Sequence, residues 1–235
     1  MKLEKQPRTF VIGDIHGAHK ALIQCFERSG FDYTSDKLIS LGDVCDGWPE
    51  VHKVFNELCS IQNLVYIIGN HDEWALTWAD TGEASYVWLA QGGRSTTECY
   101  PSGMDKEHKN LLLEAYDHYQ ENNQLFVHGG IDPHRPIAEQ DRETFIWDRN
   151  LVNLALYNKD LGIENPLTDF SQIFVGHTPT IKYGSELPIH ACEVRMMDTG
   201  AGYYGKLTMM DLESGEIFQS DPVHGLYPDH PGRMR

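Results

Sequence analysis

The chain has 235 residues, 40% of them hydrophobic, and a formal net charge of −16. That length is ample for a large buried core, and the acidic balance argues against the basic patches that duplex nucleic acid and anionic membranes require. No run of eighteen apolar residues occurs, so no membrane-spanning helix is expected.

Taken in chain order, "TFVIG" reads as a buried strand. Ala18, Ala21, Leu22, Cys25 and Phe26 then recur at helical spacing, and Ser29-Gly30 supplies a stop. "KLISLGD" is a second strand. Pro49 suits a first helical turn, and Val51, Val54, Phe55, Leu58 and Cys59 line one helix face. "NLVYIIGN" is a third strand, and the alternation predicts an α/β protein with a parallel sheet covered by helices. From Glu73 to about Gln120 the character changes. Trp74, Trp78, Trp88, the loop "AQGGRST" and a helix carrying Leu111, Leu112, Ala115, Tyr116 and Tyr119 predict a helical cap over residues 73–120. "QLFVHGG" and "QIFVGHT" are further strands, with a helical stretch from Leu151 to Tyr157 between them. "RMMDTG", "KLTMMDL" and "EIFQS" predict an antiparallel meander. The final "SDPVHGLYPDHPGRMR" reads as a loosely packed tail. No fixed-period repeat divides the chain, so one domain over 1–235 is expected. The cysteines at 25, 45, 59, 99 and 192 form no CxxC pair, and "MKLEKQPRTF" has no apolar leader. Thiols in a reducing cytoplasm are therefore expected.

Five of the apolar runs end in "GDIHG", "GDVCDG", "GNHD", "HGG" and "GHT". Each puts a donor just beyond the carboxyl end of a strand, where open α/β sheets bind ligands. The set is Asp14, His16, Asp43, Asn70, His128 and His177. Carboxylate, amide and imidazole without thiolate suit manganese, iron or zinc. Six donors are too many for one tetrahedral ion and about right for two ions sharing a carboxylate. A lone Asp or His after a strand is more often a cap, but five successive strand ends of this kind do not arise by chance. The histidines at 19, 52, 108, 118, 134, 190, 224 and 230 lie in no such context and read as ordinary surface or core residues.

These blocks resemble the signatures of the calcineurin-like metallophosphoesterases, most closely the PPP-type serine/threonine protein phosphatases of small bacterial and phage type. "WLAQGGRSTTECY", "FIWDRN" and "DTGAGYYGKLTMMDLESGEI" extend the resemblance from about residue 8 to residue 220. It implies a four-layer α/β/β/α sandwich and two divalent metal ions, manganese first, with iron or zinc as the others. It further implies a hydrolase that cleaves phosphomonoesters by direct attack of a metal-bridging hydroxide. By matching motifs, Asp14 and His16 would hold the first ion together with Asp43, which would bridge to a second held by Asn70, His128 and His177. His71 would be the general acid. Asp46 would either orient His71 or cap the turn before Pro49.

One departure stands out. The family reads "GDxVDRG", with an arginine that grips the substrate phosphate, whereas this chain reads "GDVCDGW", with Gly47 at that place and Trp48 after it. A second family arginine matches Arg149 in "WDR". Arg94, in "GGRST", is either an exposed loop cation or a substitute clamp. The expected partner is a phosphoprotein or a small phosphoester, with no nucleic acid duplex and no membrane. Competing readings are a hydrolase like the dinucleoside tetraphosphatases and a non-catalytic metal-binding scaffold.

Overall fold

The computed structural model describes residues 6–163 and 165–233. In chain order the strands are β1 (Thr9–Ile12), β2 (Lys37–Ser40), β3 (Asn63–Tyr66), β4 (His118–Glu121), β5 (Gln124–Val127), β6 (Gln172–Val175), β7 (Ile189–Ala191), β8 (Val194–Met196), β9 (Thr208–Asp211) and β10 (Ile217–Gln219). They form two sheets, ordered β10-β9-β1-β2-β3 and β4-β5-β6-β8-β7. β1, β2 and β3 are parallel, as are β5, β6 and β8. β1, β2, β5 and β6 are each buried from the second residue on. That is the continuous apolar run of strands covered on both faces.

The helices are α1 (His19–Ser29), α2 (Val51–Cys59), α3 (Asn70–Thr81), α4 (Tyr86–Trp88), α5 (Arg94–Cys99), α6 (Lys106–Leu113), α7 (Arg142–Trp147), α8 (Asn150–Asp160) and α9 (Val223–Leu226). Three apolar clusters fix the layering. In one, Ala21, Leu22, Val54 and Phe55 of α1 and α2 pack on Phe10, Ile12 and Leu38 of the first sheet. In another, Leu151, Val152 and Ala155 of α8 pack on Leu125, Val127, Ile173 and Val175 of the second. Between the sheets lie Val11, Ile39, Leu41, Phe126, Phe174, Met197 and Met210. Alternate residues of one strand thus face different clusters, as the period of two requires, and the result is a four-layer α/β/β/α sandwich.

Three details differ from the sequence reading. The helix expected to reach Tyr119 ends at Leu113. Tyr116 instead exchanges backbone hydrogen bonds with Tyr66 and Ile68 at the end of β3, and Tyr119 lies in β4 against Phe126. The expected meander is split, because β8 joins the second sheet beside β6, while β9 and β10 join the first beside β1. The tail is packed rather than loose. Val223 and Tyr227 are buried, and Tyr227 stacks on Trp48 with ring centroids 5.2 Å apart.

Candidate metal centre

The carboxyl ends of β1, β2 and β3 from one sheet, and of β5 and β6 from the other, converge on one rim. Asp14 and His16 follow β1, Asp43 follows β2, Asn70 opens α3 after β3, His128 follows β5 and His177 follows β6. All six are buried. The turns that carry them are tight. His16, Asp43, Asp46 and His177 have φ of 50°, 50°, 73° and 61°, the left-handed region that non-glycine residues avoid. Glycine makes room for the carboxylates, since a Cβ at Gly69 would overlap the Asp43 side chain and one at Gly176 the Asp14 side chain.

Two triplets of candidate metal-ligand atoms lie within 4.8 Å of one another, Asp14–His16–Asp43 and Asp43–His128–His177, and Asp43 is common to both. His16 Nε2 is 3.6 Å and His128 Nε2 3.4 Å from Asp43 Oδ2. Asn70 Oδ1 is 3.1 Å from His128 Nε2. His16 Nδ1 lies 2.9 Å from the Cys45 carbonyl and His128 Nδ1 2.8 Å from the Leu41 carbonyl. Each Nδ1–H therefore donates to the backbone and turns Nε2 into the cluster; His16 Nε2 accepts there from Arg233, and His128 Nε2 donates to Asn70 and Asp43 a proton that a bound cation would replace. His177 Nε2 is buried with no hydrogen-bond partner, an arrangement that costs about 1–3 kcal/mol unless something binds there. The residues present fit a pair of divalent ions.

Electrostatics agree with that fit. Burial raises Asp14 well above the carboxylate range, and the neighbouring Asp198 adds to it. Burial also opposes ionisation of Asp43, but the charges of His128 and His71 outweigh it and hold Asp43 well below that range. For His128 burial works against the imidazolium, and Asp43 still lifts it to about 9. Here a proton meets part of the demand for positive charge that cations would meet.

His71, the second residue of α3, lies beside this cluster and donates its backbone N–H to Asp43 Oδ1 at 2.9 Å. Its Nδ1 is 2.5 Å from Asp46 Oδ2. Asp46 is further held by the Thr96 hydroxyl at 2.6 Å and the Trp88 indole N–H at 2.7 Å. Burial lifts Asp46 to about 7 against those two bonds. Burial, with the Arg233 charge adding to it, lowers His71 to about 3. Both shifts disfavour separated charges, so burial favours the neutral form of each partner in this hydrogen-bonded pair.

An aromatic wall joins the two ends of the site. Trp74 contacts His71 at 5.1 Å and Trp147 at 5.2 Å, and Trp147 meets His177 at 5.6 Å. Arg149 is exposed at the start of α8, and its charge acts on His177. Arg94 is exposed and lines a cleft of about 170 Å³ with Glu98, His230 and Arg233. Trp88, one of the tryptophans of the predicted cap, is buried as a donor to Asp46.

Four further residues belong to the site and were not singled out from the sequence. Asp72 accepts backbone N–H bonds from Val44, Cys45 and Gly69 at 2.9, 3.0 and 3.1 Å; its place three residues after Gly69 is an N-terminal capping signal. Asp198 is buried next to Asp14 and lifted to about 6, chiefly by burial; an aspartate before "TG" at a strand end was its only signal. Thr96 supports Asp46 from across the fold. Arg233 donates Nη1–H to His16 Nε2 at 2.8 Å.

The sequence profile described as calcineurin-like phosphoesterase matches residues 7–209. Serine/threonine-protein phosphatase 1 of Salmonella typhimurium is 24% identical over 216 residues, 87% of this chain and 91% of that protein. The symmetrical bis(5'-nucleosyl)-tetraphosphatase of Coxiella burnetii is 36% identical over 73 residues, 31% of this chain and 25% of that protein, so that likeness is local. A solved structure of a candidate diadenosine tetraphosphatase superposes with a TM-score of 0.66 at 16% identity, covering 93% of this chain and 95% of that one.

Proposed function

Because the chain belongs to the calcineurin-like phosphoesterase family, a family of metal-dependent phosphatases, we propose that it is a serine/threonine protein phosphatase working at the rim just described. The observation that carries this reading is the pair of donor triplets sharing Asp43, with the His71–Asp46 pair against them. Asp14, His16 and Asp43 would hold one ion, and Asp43, Asn70, His128 and His177 the other. Manganese is the first choice for these mixed oxygen and nitrogen donors, ahead of iron or zinc. Two such ions would supply Lewis acidity toward phosphate oxygens and a water acidic enough to attack at neutral pH.

The chain's own residues do the rest. Asp43, ionised between two histidines, supplies the negative charge that keeps the cluster together. His71 gives a proton to the leaving oxygen, and Asp46 fixes the ring and shares that proton. Arg149 offers a planar fork to the phosphate on the His177 side. Trp74 and Trp147 close the floor between His71 and His177 and exclude water. Arg94 acts only on substrates long enough to reach the cleft beside the tail. No side-chain nucleophile is required, since no Ser or Cys is among the donor residues.

The segment expected as a cap over 73–120, helical as far as Leu113, is proposed to govern substrate choice within a single domain over 1–235. A phosphoprotein is the proposed partner. Cytoplasmic location is part of the same proposal, supported by the thiols of Cys25, Cys45, Cys59 and Cys99. Among the described residues no helix is long and apolar enough to cross a membrane.

A second reading, hydrolysis of dinucleoside tetraphosphates, is favoured by the local likeness to the Coxiella enzyme over 73 residues. Phosphate release from p-nitrophenyl phosphate in added Mn²⁺ tests the enzyme against a non-catalytic scaffold. A panel of phosphopeptide, diadenosine tetraphosphate and a cyclic nucleotide then separates the substrates. Preference for the tetraphosphate would replace the first reading with the second.

A further inference from the structure

Gly47 leaves a gap. A Cβ built there would come within 3.1 Å of the His16 Cβ and 3.2 Å of the Arg233 Cγ, so the space beside residue 47 is taken by an arginine from 186 positions later in the chain. We propose that Arg233, carried on the folded C-terminal tail, is a substrate-binding residue that grips the phosphate where the family's arginine is missing. This rests on the phosphatase reading above and names a residue that the reading lacks.

Trp48 builds the seat for the tail. It is fully buried, donates its indole N–H to the Ala201 carbonyl at 2.7 Å, stacks on Tyr227 and leans against His230 at 6.0 Å. A side chain at Gly232 would strike its ring. Tyr227 is itself tied down, donating its hydroxyl to Glu50 and accepting from the Lys20 N–H at 2.9 Å. The replacement of an arginine-glycine pair by Gly47-Trp48 therefore removes one cation and creates the dock that delivers another.

The guanidinium is aimed and unspent. The Arg233 backbone N–H donates to Gly202 O at 3.0 Å, its Nε–H donates to Gln91 O at 3.2 Å, and its Cζ lies 5.0 Å over the Tyr203 ring. Nη1–H donates to His16 Nε2, and Nη2 has no partner among the described residues. No carboxylate among them forms an ion pair with it, in a chain with 35 acidic and 19 basic residues. Its charge is felt at the buried Asp46 and Asp198, but neither is within contact distance, and a half-buried arginine held at its backbone, Nε and ring face with Nη2 open is a receptor for an anion. Its charge depresses His16 and His71 after burial does, whereas that of Arg149 bears on His177. Both cations border the donor cluster, and together they would hold a phosphate.

The test uses the full chain loaded with Mn²⁺, as wild type, Arg233→Ala and Arg233→Lys. Calorimetry gives the affinity for inorganic phosphate, steady-state kinetics on p-nitrophenyl phosphate give KM and kcat separately, and metal analysis gives bound Mn²⁺. Loss of charge-assisted bonds predicts roughly 10- to 100-fold weaker phosphate binding and a matching rise in KM for Arg233→Ala. Mn²⁺ content is unchanged, and Arg233→Lys falls between, keeping charge without the fork. Unchanged phosphate affinity in Arg233→Ala overturns the proposal. If Mn²⁺ then binds tighter, the guanidinium is a plug on His16; if only the melting temperature falls, it is a structural clip. Wild-type turnover tests the phosphatase reading by itself, because the calorimetric comparison reads Arg233 whether or not turnover is seen.

Discussion

At the scale of single residues, the site is a place where the chain accepts unfavourable local states. Four of the non-glycine residues with positive φ among those described are His16, Asp43, Asp46 and His177. Such a conformation costs of the order of 1–3 kcal/mol and persists only where surrounding structure imposes it. Here the imposition is visible, because His16 N and Ile15 N both donate to Asp43 O, and His177 N donates to both Asp14 oxygens at 3.1 Å. His16 and His177 are thus each held by another candidate ligand, and Asp46 N donates to the Thr96 hydroxyl. Asp43 sits at the centre of this web, so Asp43→Asn keeps the shape and removes the shared charge. Supporting partners of metal ligands typically contribute 10- to 100-fold. Loss of the shared carboxylate should therefore cut activity by more than about 100-fold and lower bound Mn²⁺, while circular dichroism stays native. An active, metal-replete Asp43→Asn protein would remove the bridging role. His71→Asn separates binding from proton delivery. It should slow turnover of alkyl or phenyl phosphates by roughly 10²–10⁴-fold and that of p-nitrophenyl phosphate far less, since p-nitrophenolate leaves without a proton. Equal losses on both would take the acid role away from His71.

Among elements, the parts that could be read from sequence were those whose information is local. β1, β2, β3, β5 and β6 are short apolar runs closed by glycine, and α1 and α2 carry apolar residues at helical spacing, so both were visible in a few consecutive residues. Partners are not local. "RMM" and "TMMD" look alike, yet β8 and β9 lie in different sheets, because only the apolar faces waiting at β6 and β1 decide where each docks. Tyr119 satisfied a helical spacing with Leu111 and Ala115 and was won by the inter-sheet cluster instead. Long-range polar ties were equally invisible. Asp36, buried at the start of β2, accepts the Arg8 N–H at 2.9 Å, the Asp32 N–H at 3.0 Å and the Arg8 guanidinium at 2.7 Å, joining β1, the loop after α1 and β2. Burial alone would raise its carboxyl, but the Arg8 bonds prevail and hold it below the usual value. A folded pKa below the unfolded one gives stability that is full above about pH 4 and fades as pH falls through the folded value. Asp36→Asn should therefore unfold about 2 kcal/mol more easily at pH 7, and the gap to wild type should close below pH 4. Urea melts at pH 7, 5 and 3.5 read this directly, and a gap that widens in acid would reverse the sign of the assignment.

For the molecule as a whole, two sheets with separate outer helices share one inner cluster, and the donor set is assembled across that seam. Asp14, Asp43 and Asn70 come from the first sheet and His128 and His177 from the second, so the site forms only when the sandwich has closed. The tail then crosses back to the first sheet, with Lys20 and Tyr227 meeting over 207 positions, which no local composition could have revealed. Around this focused cluster of imidazoles and arginines the net charge is −16. A phosphate approaching from solvent therefore meets a repulsive outer field before it meets the cations within. That field is screened over about 10 Å at 0.1 M salt and about 30 Å at 0.01 M. For a phosphopeptide flanked by acidic residues, kcat/KM should rise roughly 3- to 10-fold as salt increases from about 10 to 100 mM. For the same phosphosite flanked by lysines it should fall, because screening then weakens attraction. The chemistry at the phosphate is identical in the two peptides, so the difference isolates the field. Parallel salt curves for the pair would mean that only the rim, and not the charge of the whole chain, governs which phosphoproteins arrive.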